Sequence, residues 1–161
     1  PQHIAMALFA STAGITLTHI PYKGATQAAL DVAAGQVPVA MQGLATVATL
    51  ARGGKLRLIG VATPRRHPQF PEVPTISESG LPGFEFNSWF AIMVPAGTPK
   101  DIIARLHAEV VKALADADVH EKLIALGLTP RGSSPEDLRK ATADQLAKYA
   151  RVMKAAGIRA D

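Results

Sequence analysis

Short apolar segments alternate with helix-like patterns through the first 62 residues of the chain. Apolar side chains at helical spacing predict helices, and runs of β-branched residues a few positions long predict buried strands. Pro21 marks the end of the first such run, because proline has no N–H to donate to a sheet ladder. The predicted order is helix 2–13 ending at Gly14, strand 15–20, helix 25–34, strand 37–41, helix 44–51 and strand 56–62. This alternation favours an α/β fold of three layers, with a mostly parallel sheet covered by helices.

Residues 63–83 have a different character, because five prolines punctuate a basic and polar stretch. We interpret this stretch as a connector. Within it, Thr75 and Glu78 have the spacing of a capping box, which predicts the start of a short helix. Residues 84–94 then form an apolar segment that includes the only tryptophan, Trp89, and predicts extended backbone.

The last third of the chain has helical periodicity. Thr98 followed by Pro99 is typical of a helix start, and Ser134 followed by Pro135 repeats that pattern. Between them a short helix is predicted over 119–126, and Gly157 is the predicted end of the last helix. The apolar positions Ile102, Ile103, Leu106, Val110 and Leu114 predict one buried helix face.

Composition narrows the functional classes. The chain has 161 residues, 48% of them hydrophobic, which is enough for a folded domain. It has no cysteine, so disulfides, thiolate catalysis and cysteine metal sites are excluded. The net charge of +4 is spread among acids on helical patterns, which argues against a nucleic-acid partner. No apolar run has the roughly 18–20 residues that a membrane helix needs.

The first residues, Pro1-Gln2-His3, lack an initiator methionine and the features of a signal peptide. We therefore expect the chain to be a piece of a longer protein.

Tyr22-Lys23-Gly24, followed by Ala25, is the strongest candidate for a ligand-binding loop. In open α/β sheets, ligands bind where strands end and helices begin. Gly24 permits close approach of the backbone, the helix start offers N–H donors, and Lys23 attracts carboxylates. An ordinary strand-to-helix turn with a solvated lysine is the alternative.

Gln42 and Gly43 stand at the next predicted strand-to-helix junction and form a second candidate. The Gln42 amide both donates and accepts hydrogen bonds, although a simple polar turn would use the same residues. Trp89 and Phe90 are more typical of packing than of ligand contact. The histidines lack metal-ligand spacing and no catalytic or phosphate-binding motif is present, so the sequence predicts no cofactor, no metal and no catalytic residue.

An ordered series of short motifs resembles the TctC/Bug family, the periplasmic solute-binding receptors of tripartite tricarboxylate transporters. The series comprises Ile20-Pro21-Tyr22-Lys23-Gly24, the segments 53–57 and 61–63, Pro71 to Thr75, Gly80 to Gly83, Ser88-Trp89-Phe90, Pro95 to Pro99, and the terminal residues 156–161. Gln42-Gly43 departs from the commoner pattern of such proteins, in which an aromatic residue accompanies an acid or amide.

The resemblance implies a type II periplasmic-binding-protein-like fold, with two α/β lobes closing around a small carboxylate. Residues 1–86 would be a partial second lobe, and 87–161 a crossover strand with helices returning toward the first lobe. It also implies periplasmic localisation and membrane transporter subunits as partners. Because apolar surface meant for the other lobe would be exposed, we expect a homodimer or swapped assembly of this chain.

Two other functions fit the same residues. A sensory domain could keep the receptor fold while signalling to a partner, and an α/β enzyme could carry a site too dispersed to recognise locally.

Overall fold

The computed structural model describes residues 1–158, and in that part of the chain six helices are the regular elements. Their bounds are α1 (Gln2–Ala13), α2 (Ala25–Ala33), α3 (Leu44–Arg52), α4 (Lys100–Ala115), α5 (Ala117–Ala125) and α6 (Pro135–Ala155). The terminal Arg159, Ala160 and Asp161, which belong to the predicted second region and to the last matching motif, lie outside the described residues.

Local chemistry explains several helix ends. Gly14 ends α1 in the left-handed conformation, with φ 65°, as the glycine there predicted. The Ser134 hydroxyl accepts a hydrogen bond from the Asp137 N–H at 3.1 Å, which confirms the predicted cap of α6. The sequence interpretation missed Asp116, whose carboxylate caps α5 by accepting the N–H groups of Asp118 and Val119, each at 3.1 Å.

The cap predicted at Thr98 is wrong. Pro99 is the N-cap residue of α4, and no side chain caps this helix. The Thr98 hydroxyl instead donates to the Pro95 carbonyl at 2.8 Å, within the turn that the Thr98 N–H closes on the same carbonyl at 3.2 Å.

None of the predicted strands 15–20, 37–41 and 56–62 is a strand in the described residues, and neither is the predicted extended segment 84–94. They are extended or bent, and the only β-pairing there is an isolated parallel bridge between Val61 and Thr75. Pro38 interrupts the predicted strand 37–41 and removes a ladder donor. In the segment 15–20, Ile15, Leu17 and Ile20 are 40–50% exposed, so the neighbours that would complete a sheet are not present around them.

The described chain divides into two compact units, and the first contains Pro1–Ser88 together with residues 151–158. Its buried side chains come from α1, α2, α3, the connector and the first residue after the connector: Ala5, Ala28, Ala29, Val47, Phe70, Val73, Thr75 and Phe84. Phe84 meets Phe9 edge to face, with ring centroids 6.0 Å apart. The connector is therefore part of the core rather than a linker.

A reciprocal capping box holds the connector, as predicted, although it starts a turn rather than a helix. The Thr75 N–H donates to the Glu78 carboxylate at 2.7 Å, and the Glu78 N–H donates to the Thr75 hydroxyl at 3.0 Å. Arg66 pairs with the same carboxylate at 3.1 Å and also donates to the Pro71 carbonyl at 3.2 Å. We call Arg66, Pro71, Thr75 and Glu78 the connector clasp.

We expect the connector clasp to make the folded state less stable at acid pH. The Thr75 N–H, and then the Arg66 guanidinium, hold the pKa of Glu78 below its usual 4.5. Ionised Glu78 therefore stabilises the folded state above about pH 4.5, and this contribution is lost as pH falls through the lower folded-state pKa. Urea unfolding of Glu78→Gln should show a shallower loss of stability below that pH than the wild type. The exposed Glu72→Gln is the matched control; equal acid slopes in both variants would contradict this expectation.

The second unit, Trp89–Ala150, contains α4, α5 and most of α6. No residue of these three helices is fully buried in the part of the chain that the structure describes. The predicted buried face of α4 is therefore wrong, since Ile102 is 47% and Leu106 44% exposed. Trp89 and Phe90 are 37% and 87% exposed, so their predicted packing is also not observed. A boundary at residues 86–87 between two lobes stays a prediction.

Candidate functional site

The loop before α2 presents three of the predicted ligand residues. Tyr22 is half-buried, Lys23 is exposed, and Gly24 is the N-cap residue of the helix. Ala25, the fourth, is the first residue of α2 and is half-buried. The sequence prediction that this loop opens directly onto a helix start is confirmed; its binding of a ligand stays a prediction.

No side chain caps the start of α2. Gly24 has extended backbone, with φ −155° and ψ 149°, and a Cβ added there would meet nothing within 4 Å. The first N–H groups of a helix have no intrahelical acceptor and carry the positive end of the helix dipole. The start of α2 therefore offers donors to an anion without steric obstruction at Gly24.

Gln42 and Gly43 occupy the equivalent place before α3. Gly43 is the N-cap residue, again without a side-chain cap, and α3 packs against α2. The Gln42 side-chain oxygen is buried and finds no hydrogen-bond donor among residues 1–158. An unpaired buried acceptor costs about 1–3 kcal/mol, so a donor from water or from a ligand would stabilise this arrangement.

Charge around the first loop is sparse. Lys23 and Asp31 are the only ionised side chains before Arg52. The Tyr22 hydroxyl donates to the Asp31 carboxylate at 2.8 Å, and this hydrogen bond, more than burial or charge, raises the pKa of Tyr22. Lys23 forms no ion pair within the described chain. Its ammonium is therefore available to an anionic ligand.

Asp31 is the residue of this site that sequence reasoning missed. It is the only acid before Glu72, and it stands alone in an alanine-rich helix, which was a usable signal. Its pairing with Tyr22 spans nine positions and follows no helical or strand period. Only the three-dimensional path of the loop along α2 reveals it.

His19 stacks on His3, with ring centroids 3.7 Å apart and the planes within 1°. Burial, and then the neighbouring His19, lower the pKa of His3. This contact gives His19 a structural role, in packing against His3. Among residues 1–158 no three acids or histidines cluster as metal ligands, and none of the helices is long and apolar enough to cross a membrane.

An open cavity of about 460 Å³ lies elsewhere in the first unit, between the end of α3 and the connector. Ala51, Leu58, Phe70 and Val73 are among the residues that line it. It contains none of the predicted ligand residues, so it is a separate feature from the two loops.

Comparison with known proteins decides the family. The model of the family described as "Tripartite tricarboxylate transporter family receptor" matches residues 1–158. The chain belongs to this family. The predicted resemblance is thereby confirmed, and the family's proteins are binding proteins rather than enzymes.

One curated relative of this chain is the UPF0065 protein in the tcbD-tcbE intergenic region of Pseudomonas sp. (strain P51). The two are 42% identical over 84% of this chain and 41% of the relative. The chain thus spans somewhat less than half the length of that relative.

Solved structures of similar proteins are also matched over only about half of their length. An R. palustris protein solved with adipate is 34% identical, with a TM-score of 0.85 over 97% of this chain and 52% of that one. MatC from Rhodopseudomonas palustris, solved with malate, is 30% identical, with a TM-score of 0.81 over 94% of this chain and 52% of that one. The periplasmic binding protein BugD is 30% identical, with a TM-score of 0.80 over 98% and 54%. These neighbours confirm the type II periplasmic-binding-protein-like α/β fold, even though strand pairing is nearly absent in residues 1–158.

Proposed function

We propose that this chain provides one wall of the ligand site in an extracytoplasmic receptor that captures a small carboxylate. The residues of this wall are Tyr22, Lys23, Gly24, Ala25, Gln42 and Gly43. We further propose that residues 1–86 are part of the receptor's second lobe and that residues from 87 onward lead toward the first.

One observation carries the proposal: α2 begins without a side-chain cap directly behind Lys23 and the unobstructed Gly24. Backbone N–H groups, the helix dipole and an unpaired ammonium together favour a carboxylate over a neutral or cationic ligand. Solved relatives with adipate and malate bound support the same ligand class.

Titration calorimetry with adipate, malate, citrate and aromatic acids tests this proposal. It should be run on the 161-residue chain and on the complete product of its gene. We expect heat with at least one acid and none with its diamide, because the amide lacks the negative charge. Silence toward every acid from both folded proteins would refute carboxylate capture.

Lys23→Gln should weaken carboxylate binding by roughly 1.4- to 5-fold, since an exposed ion pair contributes about 0.2–1 kcal/mol. The difference between wild type and variant should shrink at high salt, because salt screens exposed charges. Lys55→Gln changes an exposed lysine outside the two loops and serves as the control. Equal losses in both variants would mean that Lys23 acts only through net charge.

We also propose that the receptor works in the periplasm and delivers its ligand to the membrane subunits of a tripartite tricarboxylate transporter. The family description and the periplasmic binding protein BugD support this placement. Deleting the gene should abolish uptake of the labelled ligand by intact cells, and restoring it should recover uptake. Unchanged uptake in the deletion strain would contradict a role in transport.

The isolated chain should self-associate, as a homodimer or by swapping of segments. The extended segment after Ser88 supports this, because Phe90, Ile92 and Met93 are 87%, 71% and 70% exposed. Light scattering at micromolar concentration should give about twice the mass of 16.9 kDa. Phe90→Ser with Met93→Ser should shift the chain toward monomer, and a monomeric wild type would refute the expectation.

A further inference from the structure

We propose that Asp31 is a positioning residue of the ligand loop: its carboxylate holds the Tyr22 hydroxyl, so that Tyr22 orients the loop instead of donating to the ligand. This inference rests on the proposed function of the loop. It reassigns Tyr22 from direct ligand contact to support of its neighbours Lys23 and Gly24.

The hydrogen bond between Tyr22 and Asp31 uses the only donor of the tyrosine side chain. A tyrosine hydroxyl has one proton, and here the hydroxyl donates it to the Asp31 carboxylate, with 2.8 Å between the two oxygens. The hydroxyl oxygen retains only acceptor capacity, which a carboxylate ligand cannot use. Tyr22 therefore contributes no donor to an anion while this contact is intact.

The main chain of Asp31 also contacts the turn that follows the C-terminal end of α2. Its main-chain carbonyl accepts the N–H groups of Gln36 at 2.9 Å and Val37 at 3.4 Å. The side chain of Asp31 thus holds the loop before α2, and its main-chain carbonyl holds the turn after the helix. Only the side-chain contact is lost in Asp31→Ala, so this variant tests the hold on the loop.

Charge supplies the third step. A carboxylate without a partner beside the loop could pair with Lys23 and neutralise it. Instead, Asp31 is half-buried and hydrogen-bonded to a neutral phenol, and Lys23 forms no ion pair in the described chain. The Tyr22–Asp31 contact therefore satisfies the acid without using the only nearby cation.

A ligand-free measurement tests the contact. The chain has two tyrosines, so in the Tyr149→Phe background the ultraviolet phenolate titration reports Tyr22 alone. We expect this titration to lie above that of an ordinary tyrosine and to shift toward it in Asp31→Ala. An unchanged titration, in a variant whose circular dichroism matches the parent, would overturn the contact.

Carboxylate affinity, measured by titration calorimetry with adipate and with malate as probes, tests the positioning role. Asp31→Ala and Tyr22→Phe should each weaken binding by about 3- to 10-fold, and the double variant should be no weaker than either one. Asp31→Asn keeps an acceptor for the hydroxyl and should retain near wild-type affinity. If Tyr22 instead donates to the ligand, Tyr22→Phe alone loses affinity while Asp31→Ala does not, which would overturn the proposal.

The two readouts separate the possible failures. If the wild-type protein binds no carboxylate but its Tyr22 titrates above an ordinary tyrosine, the proposed function is refuted and the contact between Tyr22 and Asp31 stands. If Asp31→Ala moves the Tyr22 titration toward that of an ordinary tyrosine but keeps full carboxylate affinity, the positioning role is refuted and the proposed function stands.

Discussion

Phe84→Ala should lower the free energy of unfolding of the first unit by about 3–5 kcal/mol. Phe84 is 5% exposed and lies edge to face against Phe9, so truncation removes buried ring surface and leaves a cavity. The neighbouring core is small, with no large side chain below 2% exposure among the described residues, so few other contacts compensate for the loss. Urea denaturation followed by circular dichroism measures the change.

Leu146→Ala is the control for this variant. It removes an apolar side chain from a position that is 67% exposed and outside the proposed self-association surface, and it should change stability by less than about 0.5 kcal/mol. Similar losses from both variants would show that Phe84 is not part of a distinct core.

Gly24→Val should weaken carboxylate binding by roughly 10- to 100-fold, the equivalent of the 1–3 kcal/mol that overpacking costs. The added methyl groups would occupy the space through which a ligand reaches the first N–H groups of α2. The fold itself has room, because Gly24 is extended and a Cβ there meets nothing within 4 Å. Titration calorimetry against the ligand found for the wild type measures the effect.

Valine is a poorer N-cap residue than glycine, so Gly24→Val should also lose a modest amount of stability, of order 1 kcal/mol. Binding is therefore compared well below the melting temperature. Ala34→Val adds bulk at the exposed opposite end of α2 and should leave affinity unchanged. Full affinity in Gly24→Val would remove this loop from the ligand site.

Helices were predictable from the sequence because their determinants are local. Gly14 and Ser134 act within a few residues of the ends that they define, and both act as predicted. Thr98 shows the limit of this reasoning: its hydroxyl donates to the Pro95 carbonyl in the preceding turn instead of capping α4.

Strands were less predictable because a strand depends on neighbours that sequence periodicity does not specify. An apolar run such as 15–20 has the composition of a buried strand whether or not its neighbours are present. The family comparison establishes the α/β fold, while residues 1–158 show one isolated bridge, Val61 to Thr75.

The candidate site was predictable in position but not in its internal chemistry. The sequence alone predicts both loops, because Gly24 and Gly43 each stand directly before a predicted helix. The donation from Tyr22 to Asp31 is not encoded by any period, and it changes what Tyr22 can offer a ligand.

The connector clasp has a consequence for protein engineering. A proline-rich stretch of 21 residues, 63–83, would ordinarily be chosen as a place to insert a tag or reporter, since surface loops accept added length at little entropic cost. Here Arg66 bridges Glu78 and the Pro71 carbonyl, and Thr75 is buried at 2% exposure. Inserted residues would separate groups that hold one another, so this stretch is a poor insertion site despite its composition.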